Sequence, residues 1–182
     1  MPRALKIVLL VMFGAMVSVR AIPAGAGAAE ASGCKIAVLG DSLAAGFGVA
    51  ASEAFPVRLA GALRERGYAC EVLDAGVSGD TSAGGRSRVE WVLADRPTHL
   101  LVELGGNDAL RALPAEQLES NLDAIVRTAR DAGVPVLLAG MLAPPNLGMT
   151  YSRAFAAAYQ RVAERHGIPL VPFFLEGVAG EA

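Results

Sequence analysis

Apolar positions in this chain fall into two kinds of run. Short, nearly unbroken ones, such as Ile36-Ala37-Val38-Leu39 and Leu100-Leu101-Val102, are bounded by Gly, Asp or Asn and predict buried strands. Between them lie longer stretches with apolar residues three and four apart, which predict amphipathic helices. Strands are predicted at 35–40, 70–75, 99–104, 134–140 and 168–172, and helices at 53–67, 84–94, 115–132 and 150–166. The first helix has a stripe of Ala54, Val57, Leu59, Ala60 and Leu63 with Gly67 as its stop. Another carries Leu118, Leu122, Ile125 and Val126 and ends at Gly133. Strand and helix alternate throughout. This predicts an α/β fold: a three-layer α/β/α sandwich on a five-stranded parallel sheet with helices on both faces.

The start of the chain follows a different pattern. Met1-Pro2-Arg3-Ala4-Leu5-Lys6 is basic, and Ile7 to Val19 is apolar but too short to span a bilayer comfortably. Ala24-Gly25-Ala26-Gly27-Ala28-Ala29 then offers small-residue cleavage sites. Residues 1–29 are therefore expected to be a signal peptide and 30–182 the domain, which places the protein in the periplasm or outside the cell with no stable membrane span after cleavage. Ala31-Ser32-Gly33-Cys34 has only a faint likeness to a lipidation site, because it lacks the preceding Leu and lies far from the apolar run. A length of 182 residues suits one domain, and a net charge of −2 without a basic patch excludes a nucleic-acid partner. Two well-separated histidines and two cysteines do not form a metal-binding pattern, and no cofactor is expected.

Three polar blocks stand at the ends of three successive predicted strands. Gly40-Asp41-Ser42-Leu43 closes the first, delivering a serine to a tight turn where an open α/β sheet binds ligands. Alone, it reads equally as a cap for the following helix. Gly76-Val77-Ser78-Gly79-Asp80-Thr81 closes the second strand, and small residues there allow a backbone N–H to face a developing oxyanion. Val102-Glu103-Leu104-Gly105-Gly106-Asn107-Asp108 closes the third, with an Asn amide as another oxyanion donor. Each block alone reads as an ordinary turn, but together they point to one site. A phosphate-cradling module on Gly40–Gly48 is the rival reading. That run matches neither GxGxxG nor GxxxxGKS.

These three blocks resemble the first three blocks of the GDSL, or SGNH, hydrolases, in particular the bacterial periplasmic thioesterase, lysophospholipase and arylesterase branch. The similarity runs from about Lys35 to about Gly177 and includes Phe55-Pro56 and Pro169-Leu170-Val171-Pro172-Phe173-Phe174. The resemblance implies a flavodoxin-like SGNH hydrolase fold and a serine esterase acting on a small-molecule carboxylic ester or thioester, expected as a monomer. It implies Ser42 as nucleophile, with the Gly79 backbone N–H and the Asn107 side chain as oxyanion donors. The family's Asp-x-x-His block, which supplies the general base, is absent from these 182 residues. His99 begins the third strand, roughly 25 Å from Asn107 if the chain between them is extended, and His166 lies in the last turn of a helix. The chain is therefore expected to be C-terminally truncated. The alternative is an inactive relative that acts as a binding module. Met141-Leu142-Ala143-Pro144-Pro145-Asn146-Leu147-Gly148 is either an apolar wall of the site or a plain connection, and Arg111 either meets a polar head group or is solvated. Cys34 and Cys70 begin two strands that neighbour each other in such a sheet, so they are either a disulfide or two free thiols.

Overall fold

The computed structural model describes residues 33–179. The expected signal peptide, the domain boundary at residue 30 and all but the last two residues of the faint lipidation sequence lie outside them. Among the described residues five strands form one parallel sheet: β1 (Cys34–Gly40), β2 (Cys70–Gly76), β3 (His99–Glu103), β4 (Val136–Ala139) and β5 (Leu170–Val171), in the order β2-β1-β3-β4-β5. Five α-helices connect them: α1 (Phe55–Glu65), α2 (Ser82–Ala94), α3 (Gly106–Leu110), α4 (Ala115–Asp131) and α5 (Met149–His166). Among the described residues no helix is long and apolar enough to cross a membrane.

The strand order fixes the layers. The step from β1 to β2 runs one way across the sheet and every later step runs the other way. Right-handed crossovers then put α1 on one face and α2, α4 and α5 on the opposite face. The latter three pack side by side, with α4 in the middle. Val38, Leu39, Leu100, Leu101 and Val102 are fully buried in the central strands, as parallel strands covered on both faces require.

Several element bounds differ from the expectation. α1 starts at Phe55, after a 3-10 turn at Ala51–Glu53, because Pro56 suits the first helical turn. Its buried stripe is Pro56, Leu59, Ala62 and Leu63, while Val57 is 52% exposed. α2 begins two residues early because Thr81 caps it, its side chain accepting from the Gly84 N–H at 3.4 Å. The short helix α3 stands where the sequence pattern predicts a strand end and turn. α4 buries Leu118, Leu122, Ile125 and Val126 as expected.

At the amino ends of β1 and β2, Cys34 and Cys70 are register partners and form a disulfide, with Cα atoms 4.5 Å apart. This closes the question the sequence left open. At the carboxyl ends Gly40 is level with both Gly76 and Glu103, and Glu103 is level with Ala139. All three polar blocks start from this rim.

Candidate active site

β1 ends at Gly40, and the chain folds at once into a tight turn. The Ala45 N–H donates to Asp41 O and the Phe47 N–H to Ser42 O, both at 3.0 Å. No helix follows until the 3-10 turn at Ala51–Glu53, so Ser42 does not cap one. Asp41 does hold the turn, since its Oδ1 accepts from the Leu43 N–H at 3.0 Å. The turn sits tightly on its neighbours. A Cβ on Gly76 would lie 2.4 Å from Ala45 N, and one on Gly40 would lie 2.7 Å from Glu103 Oε2, so glycine alone fits at both places.

Asn107 reaches the same turn from α3. Its Nδ2 donates to Asp41 Oδ2 at 3.0 Å. Gly105 makes this possible: with φ of +118° it turns the chain sharply from β3 into α3. Ser42 and Asn107 thus line one open cavity of about 650 Å³, together with Leu43, Leu110, Met141 and Leu142. The segment Met141–Pro145 is therefore a wall of this cavity, and its apolar side chains suit an acyl or aryl group.

Gly79 is not among the residues lining that cavity. It is exposed, with φ of +83°, on the loop between β2 and α2. Its carbonyl accepts from Arg111 Nη2 at 2.9 Å, which ties it to the end of α3 four residues after Asn107. Arg111 is thus a tether rather than a free solvated group.

Two further supports carry functional loops and were not found from sequence. Arg88 of α2 donates to Asp80 Oδ2 at 2.7 Å, Ala75 O at 2.6 Å and Gly40 O at 2.8 Å. One guanidinium thereby pins the Gly79 loop, the end of β2 and the end of β1. Ser82 donates from its N–H and its hydroxyl to Asp108, while Asn121 Nδ2 donates to Ser82 Oγ at 3.0 Å. This buried network fixes the start of α2 against α3 and α4. Neither leaves a readable signal in the sequence, whereas the buried Glu103 does, as a charge within the apolar run Leu100–Leu104.

The electrostatics of the floor are unusual. Asp41 is 2% exposed and Glu103 fully buried. Burial raises the Asp41 carboxyl above its usual range, opposed by the Leu43 N–H and the Asn107 amide. Burial, reinforced by the Asp41 charge, lifts Glu103 well above the usual carboxylate range. Neither histidine belongs to this site. His99 is level with Ile36, four positions before the rim, with Nδ1 3.0 Å from Thr98 Oγ1. The strand ends at Glu103, so only those four steps are extended and span about 13 Å, not the whole length to Asn107. His166 pairs with Asp123 Oδ1 at 2.9 Å at the end of α5. Among the described residues no group of three or more His, Cys, Asp or Glu could hold a metal ion.

Comparison with known proteins gives a consistent picture. The profile of the GDSL-like lipase/acylhydrolase family matches residues 38–182. Esterase TesA of Pseudomonas aeruginosa (strain PAO1) is 43% identical over 152 residues, covering 83% of this chain and 76% of that protein. Thioesterase 1/protease 1/lysophospholipase L1 of Escherichia coli K12 is 39% identical over 142 residues, covering 78% of this chain and 67% of that one. Among solved structures, AlinE4, an SGNH-hydrolase family esterase, superposes with a TM-score of 0.80 at 42% identity, covering 86% of this chain and 82% of its own.

Proposed function

Since the chain belongs to the GDSL-like lipase/acylhydrolase family, and is by that membership a carboxylic ester hydrolase, we propose that Ser42 is its nucleophile, with the Gly79 N–H and the Asn107 amide as oxyanion donors. The observation that carries this reading is the joining of Ser42 and Asn107 through Asp41 on the wall of one apolar cavity. In this scheme Ser42 Oγ attacks the carbonyl carbon of an ester or thioester as its proton passes to a base. The oxyanion is held by the two donors and collapses, expelling the protonated alcohol or thiol. Water then releases the acid from the acyl-serine. The Met141–Pro145 wall would take the apolar part of the substrate. The basic and apolar segments before Ala29 and the Cys34–Cys70 disulfide support an enzyme working in the periplasm or outside the cell.

No residue described here is assigned the role of base, because His99 and His166 both stand away from the rim. A serine without a base is a weak nucleophile. The 182-residue chain should therefore hydrolyse p-nitrophenyl acetate slowly, and imidazole added to the solution should raise that part of the rate which disappears in Ser42→Ala. An unchanged rate in Ser42→Ala would remove Ser42 as nucleophile. Fast Ser42-dependent hydrolysis without imidazole would mean that a base lies among residues not considered for the role.

A further inference from the structure

One buried ionisable group takes no part in the scheme above. Glu103 is the last residue of β3, directly beside the end of β1, and is fully buried. Its Oε2 accepts from the Asp41 N–H at 3.4 Å, and the Ala44 N–H also faces the carboxyl. Oε1 is buried with no hydrogen-bond partner. The groups packed around it offer no compensating charge. Asp41, in the turn above, is another acid. From α5, Tyr159 donates its hydroxyl to Leu104 O. From α2, Arg88 is engaged by Asp80, Ala75 O and Gly40 O, and from α3, Asp108 is engaged by Ser82. An ionised carboxylate in this place would keep one oxygen unsolvated and face a second anion, the most costly way to bury a carboxyl.

We propose that Glu103 is a positioning residue for the Ser42 turn and works as a neutral carboxylic acid, accepting from the backbone of the turn without placing a negative charge beneath it. The proposal rests on the reading of Ser42 as nucleophile. The chemistry explains why neutrality matters. Attack by Ser42 creates an oxyanion just above this floor, and a fixed anion below would oppose that charge in the transition state. A neutral acid holds the same N–H groups without that opposition. It also spares Asp41, which orients Asn107, a second anion at its back. The pressure of burial on the Glu103 carboxyl acts in the same direction.

Two readouts on the 182-residue chain test this. In urea unfolding, a carboxyl held above its usual value of 4.5 binds its proton more tightly folded than unfolded, so it withdraws stability as pH rises from there. Glu103→Gln should thus be more stable than wild type at about pH 8, with the gap closing toward about pH 5. A Gln variant that is less stable at the higher pH, or a gap that does not change with pH, overturns the neutral acid. The second readout is the rate at which a p-nitrophenyl alkylphosphonate labels Ser42, followed by mass spectrometry in imidazole buffer. Glu103→Leu should slow labelling about tenfold or more, and Glu103→Gln should restore it to within about threefold. Wild-type labelling in folded Glu103→Leu, or a Gln variant as slow as Leu, overturns the positioning role. If Glu103→Leu does not fold, the unfolding series on Glu103→Gln still decides. Labelling that persists in Ser42→Ala would defeat the nucleophile assignment instead, and the unfolding readout would still report the state of Glu103.

Discussion

The amide of Asn107 has two N–H bonds, and Asp41 Oδ2 takes one of them at 3.0 Å. Because a carboxylate only accepts, it dictates which end of the amide faces the turn and leaves the second N–H for the cavity side. Removing this donor should cost transition-state binding more than substrate binding. Asn107→Ala is expected to lower kcat of Ser42-dependent turnover by about 10²–10³ with a smaller change in KM. Steady-state kinetics that showed mainly a raised KM would make Asn107 a substrate-binding group. His99 should behave oppositely. It sits four steps below the rim, so His99→Gln should leave kcat/KM within about threefold of wild type. Burial holds the His99 imidazole below its usual 6.5. As pH falls through that value the unfolded chain takes up the proton first, so wild type loses stability below it. His99→Gln should lose less over the same range, which thermal unfolding at several acidic pH values would measure. The placement of Ser42, Gly79 and Asn107 just after three strand ends was legible because residue type and position along the chain are local information. Asp41's hold on Asn107 was not, since a contact across 66 residues leaves no trace in spacing.

At the scale of elements, the alternation of strands and helices could be read because each amphipathic helix is long enough to show its period. α3 escaped because five residues, two of them the glycine and asparagine of a turn-like sequence, cannot show one. Its existence matters, since it swings Asn107 back over the β1 turn instead of carrying it onward. Arg88 escaped for another reason. A single arginine on α2 looks solvated until β1, β2 and the Gly79 loop are brought around it. Two of its three acceptors are backbone carbonyls, so no lysine could satisfy the same fork. Arg88→Ala should destabilise the fold by about 1–3 kcal/mol, because two part-buried carbonyls lose a charged donor. It should also speed amide exchange at Gly79 and Asp80 more than at β3. Uniform acceleration across the sheet in hydrogen-exchange NMR would reduce Arg88 to a general stabiliser.

Across the whole molecule, chemistry and covalent bracing occupy opposite ends of the sheet. The carboxyl rim holds Ser42, Gly79 and Asn107, while the amino ends of β1 and β2 carry the Cys34–Cys70 bridge. With the cysteines 36 positions apart in sequence, the entropy of closing that loop in the unfolded chain is worth roughly 3–4 kcal/mol. Reduction should lower the urea midpoint accordingly while leaving initial Ser42-dependent rates nearly unchanged below the transition. A rate that collapses before unfolding begins would mean that the rim depends on the bridge. The adjacency of β1 and β2 was implied by the family resemblance, but the full cavity was not, because its walls come from four separate segments that meet only in the folded chain.

The order β2-β1-β3-β4-β5 also bears on how the molecule is made. For a chain emerging amino end first, this order lets β1 pair with β2 and then leaves the free side of β1 for β3. β4 follows on β3, and β5 on β4. Each later strand meets an open edge as it appears, and none has to be inserted between strands already paired. The Ser42 turn and the Glu103 beneath it are joined by β1 and β3 alone, so the pairing that forms the floor of the site needs no residue of the Met141–Pro145 wall.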